Sequence, residues 1–531
     1  MRKTRVLVPA LVAATAAFVG GSVGVGADSS FPRVTSSTDV TQNNKSPVRD
    51  EAIAAVAVDP NDPNHIAVVG GDWRAGSCNL YVSSDGGASF AVGKRSPVPP
   101  QFDTCAPNGG TNAWAVGFDK AGNILVVTMA ANRPGTTAAN GSVLLMKTSD
   151  NGNTWQSTFV KDNRQVTPPQ GAGQVQLIID QARNRIYVGW QQRNVPVQGY
   201  GSPGTVRRAE VAVSTDGGAS FGAPVDIEGD PSNTLSVGGP NLSLGPDGTL
   251  WAFYSQSAAA KGSSAVFTSQ KPLLRLAKST DAGQSFQQVG SIGSSIPENF
   301  GFAAFAAAPY GQNGTALVLI YEGLAQGTAG TQYQLRDIYT QNSTDGGQTW
   351  SQQTRVTDDN IASDLGNKYV PGVTSAPNGR FDAAWVDMRD DNGNLLSNVY
   401  SASSTDGGAT WSKNIKVSDR PSNLHYGQFA NESDIRSNTN LASNNYATYV
   451  VWDSTANASP SKDVQDIFFG SVQLAAVPAS TGTTILYIIA AVAGGLVFAS
   501  LVLVAAGVIV RRRRSRASGT PTPPMAGTPA S

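Results

Sequence analysis

The chain contains little cysteine, histidine or charge. Of its 531 residues, two are cysteines and two are histidines. Neither His65 nor His425 has a cysteine beside it in the sequence, which argues against a zinc site and against a serine–histidine hydrolytic apparatus. Charged residues make up only 14% of the chain and the formal net charge is zero, so no basic field is available to hold nucleic acid.

An eight-residue phrase returns six times along the chain. It reads S-S-D-G-G-A-S-F at 83–90 and S-T-D-G-G-A-T-W at 404–411, with four similar copies between them. The aspartates of the six copies are Asp85, Asp150, Asp216, Asp281, Asp345 and Asp406. Successive aspartates are 65, 66, 65, 64 and 61 residues apart, and this regular period indicates a repeat protein.

Each position of the phrase has a structural explanation. A glycine follows the aspartate by two residues in all six copies, as a turn position with positive φ requires. The carboxylate can accept hydrogen bonds from backbone N–H groups of its own turn and from the nearby Ser or Thr hydroxyls. The closing Phe or Trp has a large apolar face to bury against a neighbouring repeat. We therefore expect the six aspartates to be structural residues.

Short runs rich in β-branched and aromatic residues surround the phrases. One of them, D-I-Y-T at 337–340, stands just before a phrase, and a more apolar run, A-L-V-L-I at 316–320, lies further upstream. Turn signals such as P-N-G at 377–379 precede such runs. Each repeat is therefore predicted to be a four-stranded unit, and a ring of such units is a β-propeller.

The predicted number of blades exceeds the number of phrases. After the sixth phrase the chain still carries an apolar run at 446–453 and D-I-F-F-G at 466–470. At the other end, R-V-T-S at 33–36 resembles R-V-T-D at 355–358, which occupies a fourth-strand position. The 442 residues from Arg33 to Leu474 give about 63 for each of seven blades. We therefore predict an all-β, seven-bladed propeller whose N-terminal strand closes the last blade, with six blades as the alternative.

The two ends of the chain predict export and a membrane anchor. Basic residues before an apolar stretch at 6–20 indicate a signal peptide over 1–27. The uncharged stretch at 484–510 has 27 residues, enough for a transmembrane helix, and four arginines follow it. The propeller at 28–474 is therefore expected outside the cell. A linker at 475–483 would join it to a single-pass anchor in the cell membrane, with a cytoplasmic tail at 511–531.

A cell-wall sorting signal is the alternative for this end of the chain. P-A-S-T-G at 478–482 resembles the sortase motif L-P-x-T-G, but it has one residue too many and lacks the leucine. The tail also continues past the arginines to Ser531. A retained membrane anchor is the preferred interpretation.

The two cysteines are expected to form a disulfide, because both belong to the exported part of the chain. Cys78 is predicted to begin the third strand of blade one, and Cys105 to lie in the crossing to blade two. Both positions are on one rim. By the loop-closure argument such a bridge contributes about 3 to 4 kcal/mol of stability.

Calcium is the one cofactor for which the sequence offers ligands. The segment 387–394 reads D-M-R-D-D-N-G-N and is rich in carboxylate and amide oxygens. Its glycine is misplaced for an EF-hand loop, and no glutamate closes it. A calcium site in this segment is therefore a subordinate hypothesis.

The phrase resembles the Asp-box, also called the bacterial neuraminidase repeat, and its copies cover the ring from blade one to blade six. Similar motifs occur in sialidases, in seven-bladed xyloglucanase propellers and in sortilin-type receptors that only bind. The resemblance implies the fold without choosing among these activities. It also implies that the phrase turns lie on one face of the ring and the ligand site on the other. The ligand face is then built from the loops between second and third strands and from the crossings between blades.

Two arginines stand where the sialidases that this chain resembles grip a carboxylate. Arg49 precedes the innermost strand of blade one, and Arg74 follows Asp72 by two residues at the end of the second strand. The Ile-Pro of the sialidase R-I-P motif is absent. Cys78 and Asn79 occupy the region where a sialidase carries its general acid, and no further arginines or Tyr-Glu pair complete the site.

Acidic residues end the second strand in four blades. They are Asp72, Glu322, Asp387 and Asp453. Arg389 follows Asp387 at the same offset as Arg74 follows Asp72. As functional groups these acids would form an acidic half-rim with paired carboxylates for glycoside hydrolysis. As structural groups each would cap the following hairpin, and recurrence in several blades favours this interpretation.

Two functions of different class follow. The first is a membrane-anchored exo-glycosidase of sialidase type, in which Arg49 and Arg74 hold an acidic sugar. Its proton-transfer groups would be Asp72, Asp387 or Glu432. The second is a non-catalytic module whose rim binds a glycan or a protein. In either case the expected partner is an extracellular glycan or glycoconjugate, and the protein is expected to be a monomer.

Overall fold

The architecture is known from a computed structural model. It describes residues 31–41, 51–72, 77–95, 102–103, 114–132, 141–166, 170–195, 206–229, 235–258, 273–292, 303–325, 335–360, 366–427, 439–460, 462 and 464–475. Every regular element in these ranges is a β-strand. No helix long and apolar enough to cross a membrane occurs among them. The predicted signal peptide and transmembrane helix both lie outside the described residues.

The strands form seven antiparallel sheets. Two short strands, β1 (Arg33–Val34) and β2 (Thr38–Asp39), come first in the chain. Blade one contains β3 (Glu51–Val58), β4 (Ile66–Asp72), β5 (Ser77–Ser83) and β6 (Ala91–Arg95). Blade two contains β7 (Phe102–Asp103), β8 (Trp114–Phe118), β9 (Ile124–Asn132), β10 (Ser142–Thr148) and β11 (Gln156–Lys161). Blade three contains β12 (Gly171–Asp180), β13 (Arg185–Val195), β14 (Val206–Ser214) and β15 (Val225–Asp226).

The remaining blades repeat this arrangement. Blade four contains β16 (Leu235–Val237), β17 (Asn241–Leu244), β18 (Leu250–Ala258), β19 (Leu273–Ser279) and β20 (Gln287–Ser291). Blade five contains β21 (Ala303–Tyr310), β22 (Gly314–Leu324), β23 (Arg336–Ser343) and β24 (Thr354–Arg355). Blade six contains β25 (Lys368–Ser375), β26 (Phe381–Asp387), β27 (Leu396–Ser404), β28 (Ile415–Lys416) and β29 (Ser422–Asn423). Blade seven contains β30 (Thr439–Ser443), β31 (Ala447–Ser454) and β32 (Asp466–Gln473), together with β1 and β2.

The seven sheets close into a ring. Their innermost strands contact one another in the order β3, β8, β12, β17, β21, β25 and β30, and β30 contacts β3 again. These strands surround an axial cavity of about 480 Å³. The fold is therefore a seven-bladed β-propeller, as predicted, and the six-bladed alternative is wrong.

Both ends of the propeller meet in blade seven. Strands β1 and β2 pair with β32 as its outer neighbour, with Arg33 opposite Gln473 and Thr38 opposite Phe469. The prediction that an N-terminal strand closes the last blade is confirmed. Residues 436 apart in sequence hydrogen-bond here, as where Thr35 N donates to Ser471 O at 3.0 Å.

The predicted equivalence of 33–36 with 355–358 is wrong in register. Val356 N donates to Ile338 O in blade five, and the matching donor in blade seven is Val40 N, which bonds Ile467 O at 2.9 Å. The next residue, Thr41, follows the same pattern and donates to Asp466. The equivalent segment therefore begins six residues later than the sequence similarity suggests, because two short strands, not one, run along β32.

The six repeat turns share one hydrogen-bond pattern. In the first, Ser83 Oγ donates to Asp85 Oδ1 at 2.7 Å and accepts from Gly87 N at 2.9 Å. The N–H and hydroxyl of Ser89 then donate to the two carboxylate oxygens at 2.9 and 2.6 Å. The same contacts are made at Asp150, Asp216, Asp281, Asp345 and Asp406.

These hydrogen bonds favour the ionised carboxylate. The hydroxyl of Ser285 is the leading cause that lowers the pKa of Asp281 to about 2, and Thr349 does the same for Asp345. Each of the six aspartates therefore holds its own turn through these hydrogen bonds.

The glycine two residues after the aspartate of each turn lies against the preceding blade. Its φ is between 81° and 91° in all six turns. A Cβ at Gly283 would stand 2.9 Å from Val213, and at Gly87 the ring of Phe469 occupies that place. The closing aromatic adds to the same contact, since Phe90 is buried with its ring edge-on to Phe469 at a centroid distance of 5.4 Å. Only glycine satisfies both the backbone and the contact at this position.

The fourth repeat turn carries a strained alanine, and replacing it should stabilise the protein. Ala282 has φ 64°, where four of the other turns have glycine and one has asparagine. We expect Ala282→Gly to raise the free energy of unfolding by about 1 kcal/mol, because the left-handed region is costly for a residue with a Cβ. Urea denaturation of the purified protein measures this.

The reciprocal change provides the matched control. Gly346 has φ 73° and its nearest prospective contact is 3.9 Å away, so Gly346→Ala adds backbone strain without a collision. It should lower the free energy of unfolding by about the same amount. Equal stability of the two variants would contradict this explanation.

Candidate functional site

Much of the predicted site lies outside the described residues. Arg49, Arg74 and Glu432 are not among them, and Asp72 is described only as the last residue of β4. The carboxylate grip by the two arginines stays a prediction. The predicted disulfide is likewise not tested, because Cys105 lies outside the described residues.

Asp387 and Arg389 form an ion pair at the end of blade six opposite the repeat turns. Asp387 is fully buried, and its Oδ2 accepts from Trp385 Nε1 at 2.8 Å and from Arg389 Nε and Nη2 at 2.9 and 2.8 Å. Its Oδ1 accepts from the Arg389 N–H at 2.8 Å, which caps the hairpin. Arg389 also donates to Asp358 at 2.8 Å and lies 4.4 Å over the ring of Tyr400.

The charges of this pair hold each other in place. Burial opposes the charge of Arg389, but the hydrogen bonds to Asp387 and Asp358 outweigh it and raise the Arg389 pKa. The Asp387 carboxylate is buried and shared between an indole and a guanidinium, so it offers little to a substrate. The hairpin-capping interpretation describes this residue.

Blade three has a neutral residue in the position of Asp387. Gln192 accepts from Trp190 Nε1 at 2.9 Å, and it follows that tryptophan by two residues, as Asp387 follows Trp385. The position thus serves to hold a tryptophan indole with or without a charge. Glu322, another of the second-strand acids, is buried and accepts from Val370 N of blade six at 2.6 Å, so it joins two blades.

In the segment proposed for calcium, the carboxylate oxygens accept hydrogen bonds from donors of the protein itself. Asp391 accepts from the N–H groups of Gly393, Leu395 and Leu396, and Asp390 accepts from Lys416 Nζ at 2.9 Å. No cluster of three or more His, Cys, Asp or Glu residues that could hold a metal occurs in the described part of the chain. The geometry of this segment gives the calcium hypothesis no support.

A pair of arginines at the top of blade three was missed by sequence reasoning. Arg193 is near the end of β13 and Arg207 near the start of β14, so both are on the ligand face. They share the side of the blade that carries Tyr187 and Ala209, which pack against blade four. Both are partly exposed.

The two guanidiniums have no acidic partner among the described residues. Arg193 Nε donates to Gln191 Oε1 at 2.9 Å, a neutral acceptor. Burial lowers the pKa of Arg193, and burial together with the charge of Arg193 lowers that of Arg207. Two partly desolvated like charges side by side form a site that an anion would stabilise.

Blade four contributes a third arginine to the same seam. Arg275 is opposite Tyr254 in the β18–β19 ladder and therefore lies on the side of blade four that packs against blade three. Its Nε donates to Gln256 Oε1 at 2.8 Å. We call the group Arg193, Arg207, Arg275, Gln191 and Gln256 the arginine cleft.

The residue after Arg207 belongs to a buried ion pair on the other side of the blade. Arg208, next to Arg207, donates to Glu228 at 3.0 Å, and both side chains are about 98% buried or more. Successive residues of a strand point to opposite sides, so R-R at 207–208 places one arginine in the seam with blade four and one in the seam with blade two. This alternation of side chains along β14 is the sequence signal from which the arginine cleft could have been predicted.

The seam with blade two contains carboxylates that titrate near neutrality. Burial raises the pKa of Glu210 to about 7, opposed by Lys161 at 3.9 Å and helped by Asp226. Burial also raises the pKa of Glu228 to about 6 despite the Arg208 ion pair. These groups lie between blades, away from the arginine cleft, so they concern stability.

Comparisons with known proteins give distant similarities to solved structures. No family model matches the chain, and no curated protein matches it. A Dyadobacter fermentans protein of unknown function has 12% identity and a TM-score of 0.46, covering 83% of this chain and 99% of its own. A Hadza microbial sialidase has 14% identity and a TM-score of 0.44, covering 78% of this chain and 75% of its own.

A third similar structure is a mutant Trypanosoma rangeli sialidase that displays trans-sialidase activity. It has 13% identity and a TM-score of 0.40, covering 72% of this chain and 55% of its own. The propeller fold and the blade count rest on the chain's own seven sheets. Similarity at this level does not address activity.

Replacing Asp387 should destabilise the protein whether or not it has an enzymatic function. Asp387→Asn removes the carboxylate from a buried pair with Arg389, and we expect a loss of about 3 kcal/mol in the free energy of unfolding. Asp162→Asn is the matched control, because Asp162 makes the same two-residue-offset pair with Arg164 at 41% and 39% side-chain exposure. The control should cost less than about 1 kcal/mol. Equal losses in the two variants would contradict the structural role of Asp387.

The free energy of unfolding should fall as the pH rises from 5 to 8. Glu210 has a higher pKa in the folded protein than in the unfolded chain, so the folded state holds the proton more tightly and is favoured at low pH. The expected contribution is on the order of 2 kcal/mol across this window. Denaturant titrations of wild type and Glu210→Gln at four pH values measure it. The variant should show a flatter profile, and an unchanged profile would sink this assignment.

Proposed function

We propose that this chain is a cell-surface β-propeller that binds extracellular glycans bearing acidic groups, through the arginine cleft and without hydrolysing them. The observation that carries the proposal is the pair Arg193 and Arg207, two partly buried cations for which the described residues provide no acidic partner and one neutral acceptor, Gln191 at Arg193. Carboxylates and sulfates are the extracellular groups that such a pair recognises.

The location of the cleft supports recognition from outside. It lies on the face opposite the repeat turns, where loops and blade crossings vary and the invariant turn geometry does not apply. The signal peptide and membrane anchor proposed from the sequence would place this face outside the cell.

The carboxylates favour binding over catalysis. Hydrolysis of a glycoside needs two carboxyl groups that reach the scissile bond. Of the predicted proton-transfer groups, Asp387 is the one whose side chain the structure describes, and it is bound by Trp385 and Arg389. This carboxylate therefore gives no support to the exo-glycosidase alternative.

A panel of immobilised glycans in matched acidic and neutral pairs tests the proposal. Sialyllactose is paired with lactose, and a sulfated chondroitin oligosaccharide with its unsulfated form, so that carboxylate and sulfate are distinguished. We expect the full-length protein to bind at least one acidic member and to release no sugar. Arg207→Gln should weaken that binding by about tenfold or more, because one charge-assisted contact is lost.

Arg183→Gln is the matched control. Arg183 is an exposed arginine of the same blade at the repeat-turn end, where it pairs with Asp180 at 3.2 Å, so its loss should leave glycan binding unchanged. Equal binding to acidic and neutral members, or release of a sugar product, would refute the proposal. Release would support the exo-glycosidase instead.

A further inference from the structure

The innermost strand of blade three is irregular beside the arginine cleft. The pairing of β12 with β13 shifts register between Gly173 and Gln176, and Gln174 between them has φ 51°. A β-bulge of this kind bends the strand and redirects side chains, and a non-glycine residue in the left-handed region costs about 1 to 2 kcal/mol. A feature of that cost needs a compensating contact.

Gly173 provides room for the guanidinium of Arg193. A Cβ on Gly173 would stand 2.6 Å from Arg193 Cζ and 2.9 Å from its Nε, with Nη2 closer still. Gly173 pairs with Gln191, the residue that accepts from Arg193 Nε. The guanidinium thus lies over bare backbone, held at one edge by an amide oxygen.

The same bulge in blade six shows what is particular to blade three. There the shift falls between Tyr369 and Gly372, so Tyr369 occupies the position of Gly173 and Met388 that of Arg193. Val370, with φ 49°, donates its N–H to Glu322 of blade five. In blade six the bulge joins two blades, and the residue in the position of Arg193 is Met388.

In blade three the bulge joins blades at the level of the cleft. Gln174 Oε1 accepts from Gly239 N at 2.6 Å, and Gln191 Nε2 donates to Val237 O at 2.8 Å. The two partners, Gly239 and Val237, belong to the segment that enters blade four. The bulge therefore fastens blade three to blade four beside Arg193.

We propose that Gly173 and Gln174 are positioning residues that preset the Arg193 guanidinium for anion binding. This inference rests on the proposed function, since it explains how the arginine cleft is organised before a ligand arrives. Gly173 supplies the space and Gln174 fixes the seam, so Arg193 does not have to be ordered on binding. Neither residue contacts the ligand.

Gly173→Ala is the test. Gly173 does not have positive φ, so alanine fits its backbone and the flexible end of Arg193 is what must move. We expect the full-length protein with nitrogen-15-labelled arginine to lose or shift the Arg193 Nε–H signal, which Arg193→Gln identifies. The Arg389 Nε–H signal, which reports a bond to Asp387 at 2.9 Å in blade six, should persist.

Binding is measured on the same samples with sensors coated with sialyllactose and with sulfated chondroitin oligosaccharide. Gly173→Ala should weaken acidic-glycan binding about tenfold, approaching Arg193→Gln. Gly222→Ala is the control, because a Cβ there meets nothing nearer than 3.6 Å, and it should alter neither the signal nor the binding.

An unchanged Arg193 signal in folded Gly173→Ala would overturn the proposal, as would a changed signal with undiminished binding. If Gly173→Ala does not fold, Gln174→Gly replaces it, since glycine keeps the left-handed backbone and removes only the amide lock. That variant should broaden the Arg193 signal and weaken binding, and no effect on either would also overturn the proposal. A changed signal in a protein whose wild type binds neither coated surface would refute the proposed function while leaving the positioning supported.

Discussion

The structure depends on the contact between each repeat turn and the blade before it. The aspartate of a turn holds its own backbone in a left-handed conformation through hydrogen bonds from residues on both sides. The following glycine can then approach a core side chain of the preceding blade, such as Val213 against Gly283. Six turns repeat this contact, so they fix six of the seven seams on one face of the ring. One of the six is the seam between blades seven and one, where Gly87 lies against Phe469.

That constraint divides the molecule into two faces with different freedom. On the repeat-turn face the residues are committed to hydrogen bonds and close packing. On the opposite face the strands end, bulge and cross between blades, so side chains there can vary without loss of the ring. Asp387 shows that some residues of this face are still structural, since its carboxylate holds Trp385 and Arg389. Arg193 and Arg207 are of the other kind, because they lack an acidic partner in the described part of the chain.

Strand alternation explains why the same pair of letters has two roles. Arg207 and Arg208 are adjacent, yet one belongs to the arginine cleft and the other to a fully buried ion pair with Glu228. Successive residues of a strand point to opposite sides of the sheet. A charge that is buried on one side needs a charged partner in the protein, whereas a charge at the rim can be paired by a ligand. The sialidase motifs point to Arg49 and Arg74 in blade one. They contain no information about which side of a blade-three strand a residue faces.

The sequence by itself determined the repeat, the all-β class, the seven blades and the closure by an N-terminal strand. Those follow from local patterns: a turn that needs aspartate and glycine at set positions, and apolar runs at a constant period. Tertiary structure alone decided the register of that closing strand, where Val40 and not Val34 matches Val356. It also decided that Gly173 and Arg193 lie in contact and that Arg275 lies on the same seam. Such groupings depend on how a bulge aims a side chain and on which blades are neighbours, and neither quantity is encoded at a fixed spacing along the chain.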